Sequence, residues 1–354
     1  MPTPPPARRP HVFVYLVDAL RADHLGCYGY SRPTSPNVDA LAREATVFRA
    51  IAPSSWTKAS VASLFTGRSP IRHRAQDRGD TLVPEAVTLS DRLSAAGYRT
   101  YALYANSWVG EPFGVDQGFG ERLVLPARSD RLTRRLLARL ARLAPEDRLF
   151  AYVHTIDPHA PYEPTPADRE RFAPPGSAFG RVSAVWLEDT AARARRGEPL
   201  APRLIEEVTA LYDAEIAFND RQFGRFLEEL KRRGLYDDSL VVFTSDHGEE
   251  LFDHGLLAHA HALHRELVQV PLVLAGPGLP QGKRVGTPLS NAALAPTLAR
   301  LSGAELAGAD PVLDLLAPPV TPVLFSTQQG FWNGTKQTPI FGLRSGFHVL
   351  HFAP

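Results

Sequence analysis

The chain has 354 residues, 44% of them hydrophobic and 22% charged, an ordinary globular balance and length enough for one large α/β core or two domains. Its formal net charge of +1 leaves no bulk electrostatic case for nucleic acid or an anionic membrane. The single cysteine, Cys27, excludes an intramolecular disulfide and a multi-cysteine metal site.

In chain order, residues 1–10 (MPTPPPARRP) are too polar and proline-rich for a signal peptide and read as a flexible leader. No apolar run reaches the ~18 residues of a membrane span, so the chain as written is expected to be soluble and cytoplasmic. HVFVYLVDAL, 11–20, is a buried strand ending at Asp18. A polar loop follows, then a helix over 37–47 with Asn37 as N-cap. A short helix spans 57–66, stopped by Gly67. Residues 88–106 read as a helix ended by Gly97 and then a strand. A helix over 127–143 carries Arg128, Arg131, Arg134 and Arg135 between leucines, as a solvated face would. RLFAYVHTID, 148–157, is a second buried strand. The segment from Pro161 to Leu200 reads as a lid or insertion. A long amphipathic helix covers 203–233, with Asp220 on its apolar side as a core hydrogen-bonder or a cap for a neighbour. SLVVFTSDHGEE, 239–250, and ELVQVPLVLAGPG, 266–278, hold two more strands. Residues 288–302 are helical, and strand-like runs begin at Pro322. Asn333-Gly-Thr335 fits a glycosylation acceptor without any other sign of secretion.

Strands and helices alternate, which argues for a mostly parallel sheet covered by helices on both faces. Ligands in such sheets sit beyond the carboxyl ends of the strands. Asp18, Asp157 and the pair Asp246–His247 lie at or just past three such ends. A carboxylate that follows an apolar strand is costly unless satisfied. Asp18 could cap the next segment, and Asp246 could cap a helix beside a surface histidine. Taken together, Asp18, Asp246 and His247 are the oxygen-and-imidazole set that suits Zn, Mn or Mg.

Seven stretches in order carry a family resemblance: VDALRADHLGCYGY, SPNVDALAREATVF, LFTGRSP, AAGYRT, DPHAPYEP, SDHGEELFDHG and VPLVLAGPG. Over roughly residues 11–300 the chain resembles the sulfatase family of the alkaline phosphatase superfamily. That resemblance implies a three-layer α/β sandwich over residues 11–320, with 321–354 as a reduced or truncated strand segment. It also implies one divalent metal (Mn, Zn or Ca). Sulfatases of this kind use a formylglycine made from the cysteine of a Cys-x-Pro-x-Arg motif, nine residues before the Thr of the Leu-Thr-Gly turn. Counting back from Thr66 lands on Thr57, with Ala59 and Val61 where the motif has Pro and Arg, so no formylglycine is expected. Threonine is the nucleophile in related phosphodiesterases and phosphoethanolamine transferases, and the resemblance gives Thr57 that role. Thr57 opens a helix, whose N–H groups attract an anion, and a cation could lower its hydroxyl pKa. A plain helix cap, with Ser60 three residues on, is the other reading.

The resemblance further implies His159 as a general acid, and His259 in place of a substrate-binding lysine, thirteen residues after Asp246. Lys58, Asn106 and His254 are candidate substrate contacts. His254 and His261, near His259, raise a second metal. The metal ligands are expected to be Asp18, Thr57, Asp246 and His247. Asn106 stands where the family often has a lysine, and Ala19 replaces a second aspartate. Hydrated formylglycine expels sulfate with its extra hydroxyl, which threonine lacks; a phospho-threonine is released readily by metal-assisted attack. The expectation is hydrolysis of a sulfate, phosphate or phosphonate ester of a small molecule, glycan or lipid. Transfer of a phospho-alcohol group and a catalytically retired binding protein are the rivals.

Overall fold

The computed structural model describes residues 9–177, 184–310, 314–316, 323–327, 340–345 and 348–352. Most of the leader and the Asn333–Thr335 acceptor lie outside the described residues. The strands are β1 (His11–Val17), β2 (Thr46–Ile51), β3 (Arg99–Tyr104), β4 (Glu121–Val124), β5 (Leu149–Thr155), β6 (Ser239–Ser245), β7 (Glu250–Leu251), β8 (Leu257–Ala258), β9 (Gln269–Ala275) and β10 (Arg284–Ser290). Eight of them form one sheet in the order β10–β2–β9–β6–β1–β5–β3–β4, parallel throughout except for β9. β7 and β8 make a separate two-stranded ribbon, and Val323–Thr327, Ile340–Ser345 and His348–Phe352 a small antiparallel sheet.

β1 is buried on both sides, and its alternation sorts the helices into two layers. Phe13, Tyr15 and Val17 pack with α1 (Pro36–Glu44), α4 (Ser129–Leu140) and α5 (Pro202–Arg232). Val12, Val14 and Leu16 face α2 (Thr57–Thr66), α3 (Leu89–Ala95) and α6 (Leu294–Leu301). On the first side Tyr15, Phe223, Phe226 and Phe243 form an aromatic cluster with centroids 4.8 to 6.2 Å apart. Each such buried ring contributes about 1.5–3 kcal/mol. Arg131, Arg134 and Arg135 are exposed on α4, as a solvated face should be.

Several boundaries differ from the sequence reading. The helix expected over 37–47 ends at Glu44, and its last residues start β2 instead. Its N-cap position is Ser35 rather than Asn37, because Pro36 takes the first helical position, where a missing N–H is harmless. The free N–H groups of Asn37 and Val38 donate to Asp220, at 3.0 and 2.9 Å, so Asp220 caps a neighbouring helix across space. Gly224 makes this approach feasible: a Cβ there would lie 2.5 Å from Asn37 Oδ1. The segment 288–302 begins as the end of β10, turns through a 3-10 helix at Asn291–Ala293 and is α-helical from Leu294. The expected lid carries two helices, Pro166–Phe172 and Ala184–Arg195, the first docked on α5 through Phe172 against Ala210, Ala214 and Ala217. No helix among the described residues is long and apolar enough to cross a membrane.

Candidate active site

The central strands end on one rim and place their polar residues there. Asp18 follows β1, with its N–H bonded to Thr155 O at 3.0 Å across to β5. Asp246 follows β6, and its Oδ1 accepts from the N–H groups of His247 (3.0 Å) and Ala19 (3.3 Å). Ala19 is held at φ 56°, a left-handed conformation uncommon for a residue with a Cβ. Its carbonyl accepts from Tyr212 Oη at 2.7 Å, so both of its peptide groups are pinned. Gly248 lets the following turn lie against the backbone of Glu266, whose carbonyl would stand 1.9 Å from a Cβ at position 248.

Around this rim Asp18, Thr57, Asp246 and His247 converge and are all buried. Thr57 Oγ1 lies 3.2 Å from His247 Nε2. His247 Nε2 is 3.5 Å from both Asp18 Oδ1 and Asp246 Oδ2. Asn106 Nδ2 donates to Asp18 Oδ2 at 2.7 Å and to Thr57 Oγ1 at 3.2 Å. Thr57 is the first residue of α2, one position past the N-cap Trp56, and its hydroxyl is engaged by His247 and Asn106. Ser60 bonds back to Ser54 instead.

Sequence reasoning missed His154. It sits in β5, fully buried, with Nε2 3.1 Å from Asp18 Oδ2 and Nδ1 2.8 Å from Tyr152 Oη. The signal was present: an imidazole near the end of an apolar strand needs a polar partner, by the same reasoning as Asp18. Asp18, His154 and Asp246 offer ligand atoms all within 4.8 Å of one another. Asp18 Oδ1 and Asp246 Oδ2 are buried with no hydrogen-bond partner, as expected of oxygens reserved for a cation. The donor set of two carboxylates and imidazole therefore fits a divalent metal.

A second ring of groups surrounds this cluster. His259 Nδ1 is 2.9 Å from Glu249 Oε1, and its ring lies 4.2 Å from that of His247 and 4.9 Å from that of His159. His159 Nδ1 is 2.6 Å from Ala160 O. Burial alone would raise the Asp18 pKa, but the imidazoles of His159, His154 and His247 outweigh it and hold the carboxyl well below its usual range. Burial opposes charge on His159, yet Asp18 and Glu249 raise its pKa above the ordinary value. Burial, helped by His247, lowers that of His259. The two neighbouring histidines are thus driven in opposite directions, the pattern that separates an acid from a neutral partner.

Other expected residues are placed elsewhere. Asp157 does not join the rim group: its Oδ2 accepts from Ser129 N at 2.7 Å at the start of α4, and Arg128 Nε lies 3.5 Å from Oδ1. Lys58 points away from Thr57. Its ammonium donates to the carbonyls of Arg78 (2.8 Å) and Asp80 (2.7 Å) and lies 4.3 Å from the Phe113 ring centroid. His254 turns to Glu250, and His261 Nδ1 meets His259 O at 3.1 Å, so neither extends the Thr57 cluster. Arg21 joins the stretch after β1 to the one after β7, with Nε 3.0 Å from Asp23 and Nη1 2.6 Å from Asp253.

The sulfatase family model matches residues 10–304. The chain is 26% identical over 309 residues, 85% of its length, to the low-salt glycan biosynthesis sulfotransferase Agl7 of Haloferax volcanii, covering 62% of that protein. It is 38% identical over 103 residues to the choline-sulfatase of Rhizobium meliloti, 29% of this chain and 20% of the relative. The chain thus spans less than two thirds of either relative. Among solved structures, the phosphonate monoester hydrolase of Agrobacterium radiobacter superposes with a TM-score of 0.77 at 22% identity, covering 98% of this chain and 89% of that one. A putative sulfatase from Bacteroides thetaiotaomicron gives 0.79 at 17%, covering 98% and 83%. These two likenesses speak for an alkaline-phosphatase-like fold. With a family match across most of its length and the rim carboxylates in place, the chain belongs to the sulfatase family.

Proposed function

We propose that this protein is a metal-dependent hydrolase of sulfate, phosphate or phosphonate esters in which Thr57 is the nucleophile. The observation that carries the reading is the Thr57 hydroxyl, 3.2 Å from both His247 Nε2 and Asn106 Nδ2. Asp18, Asp246 and His247, with His154 behind Asp18, are the residues that would hold the cation. When bound, it supplies positive charge that lowers the hydroxyl pKa and offsets charge on the transferred group.

Thr57, its hydroxyl proton given up to solvent, attacks the sulfur or phosphorus in line through Oγ1, forming one O–S or O–P bond as the bond to the leaving oxygen breaks. Asn106 orients the nucleophile and Asp18 together. His159, with its raised pKa, gives a proton to the departing alkoxide. His259, fixed by Glu249, offers its other ring nitrogen to an anionic oxygen. Water then attacks the Thr57 ester and restores the hydroxyl. That second step favours phosphorus over sulfur, because Thr57 has no second hydroxyl to expel sulfate.

A second reading draws on the Haloferax relative, whose name is that of a glycan-biosynthesis sulfotransferase. Here an alcohol takes the place of the second-step water and leaves with the group. One experiment addresses both. The protein is incubated with aryl phosphate, phosphonate and sulfate esters and Mn, Zn or Ca, with and without a sugar alcohol, and Thr57 is examined by peptide mass spectrometry. A phospho- or sulfo-Thr57 adduct supports the nucleophile. Activity that survives unchanged in Thr57→Ala overturns it, and product appearing on the sugar in preference to water selects transfer.

A further inference from the structure

Beside the candidate active site, two histidines meet on a single carboxylate oxygen. Glu250 belongs to β7 and is fully buried. Its Oε1 lies 2.9 Å from His254 Nδ1 and 2.5 Å from His264 Nδ1. The two imidazole rings are close and tilted, with centroids 3.8 Å apart and planes at 36°. Glu250 Oε2 accepts from the His254 N–H at 3.3 Å. Glu266 reaches the same place: its Oε2 lies 3.9 Å from His254 Nδ1 and has no hydrogen-bond partner.

We propose that Glu250, His254 and His264 form a second metal site, separate from the Asp18–Asp246 rim, that binds a divalent transition ion of the zinc class. The three ligand atoms lie within 4.8 Å of one another. An ion about 2.0–2.2 Å from each nitrogen and oxygen satisfies such spacing after small side-chain adjustments. Two imidazoles drawn to one oxygen repel if both are charged, whereas as neutral ligands they share one cation with the carboxylate. Two nitrogens and one oxygen, with Glu266 Oε2 as a fourth donor, match zinc and its neighbours better than calcium. The His254 and His264 side chains are 44% and 31% exposed, which gives the ion a path in and room for water as a ligand.

The site's position gives it a role. Its ligands span the strand, the turn and the segment after β8, so an ion there ties together the stretch from 250 to 266. His259 lies within that stretch, and Glu249, the partner of His259, precedes Glu250 directly. A bound ion fixes the scaffold that aims His259 without touching the reacting group.

The test is a metal count. Full-length protein is stripped with chelator, reloaded with zinc chloride, desalted and analysed by elemental mass spectrometry. Wild type is expected to hold one more equivalent than His264→Gln, Glu250→Gln or His254→Gln, the last being at an exposed position that leaves the core intact. Asp18→Asn is expected to keep the Glu250 ion. If His254→Gln and His264→Gln both hold as much zinc as wild type while their circular dichroism is unchanged, the proposal is overturned. If Asp18→Asn holds as much zinc as wild type while the Glu250 and histidine variants lose an equivalent, this site stands and the rim metal falls.

Discussion

Asn106 Nδ2 donates to Asp18 Oδ2 at 2.7 Å while also reaching the Thr57 hydroxyl, so one amide sets the distance between a would-be metal ligand and a would-be nucleophile. Its own carbonyl is anchored by the Trp108 N–H at 2.9 Å, which fixes which end of the amide faces the site. Asn106→Ala is expected to lower kcat/KM or metal affinity by about 10–100-fold, the usual effect of losing a group that orients a ligand. Asn106→Asp keeps the shape but sets a second carboxylate against Asp18, and is expected to be worse than alanine. Steady-state kinetics with a metal titration on both variants checks the order; an aspartate variant as active as wild type contradicts the donor role.

The proposed nucleophile role predicts that Thr57→Ala reduces turnover by about 10³-fold or more. Because the N-cap position of α2 is Trp56 and not Thr57, thermal melting should move little. Thr57→Ser keeps the hydroxyl and should retain activity within about tenfold of wild type. The comparison of the two variants, in one assay and one melting experiment, separates chemistry from folding.

Lys58 is held by two backbone carbonyls and an aromatic wall, and burial lowers its pKa to about 8. Lys58→Met should cost about 1–3 kcal/mol of stability by leaving those carbonyls unsatisfied. KM should be unchanged. A large rise in KM with unaltered urea denaturation would restore the substrate-contact role that the sequence suggested.

Asp220 provides a pH signature. Burial raises its pKa from 3.8 to about 6, against the lowering effect of the Val38 and Asn37 N–H groups. Between those two values the folded chain binds more protons at this site than the unfolded chain. The contribution is therefore present at low pH and lost as pH rises through about 6. Asp220→Asn removes that loss. Its unfolding free energy from urea titration should improve relative to wild type between pH 4 and 7.5, by at most ~3 kcal/mol. Parallel stability curves for the two proteins would contradict the assignment.

How much of this was legible beforehand depended on the kind of signal. The 57–66 helix emerged with its observed limits, because Gly67 ends it in a left-handed cap. Asp18 and Asp246 were found because each terminates an apolar run. β2 and β10 were hidden, β2 by the end of an expected helix and β10 by an exposed edge with little apolar pattern. Side-chain direction was not legible at all. Thr57 and Lys58 are adjacent, but successive helical residues turn by about 100°, so they face different surroundings. Glu249 and Glu250 enter an extended segment, where neighbours point to opposite sides. That alternation sends His259 to one carboxylate and His254 and His264 to the other, dividing a cluster that looks continuous in sequence.

The reversed strand has a further consequence. β6 and β9 are antiparallel neighbours, so the chain leaves the sheet after Ser245 and re-enters at Gln269 on the same rim. The ends of the intervening stretch are held by adjacent strands, which run about 4.8 Å apart. Residues 246–268 include His247, His254, His259, His261 and His264, five of the twelve histidines in the chain. The topology therefore lets a relative's segment with the same two anchor points join β6 to β9 without rethreading the sheet. Much of the imidazole chemistry at the rim could then be exchanged between scaffolds in one contiguous piece.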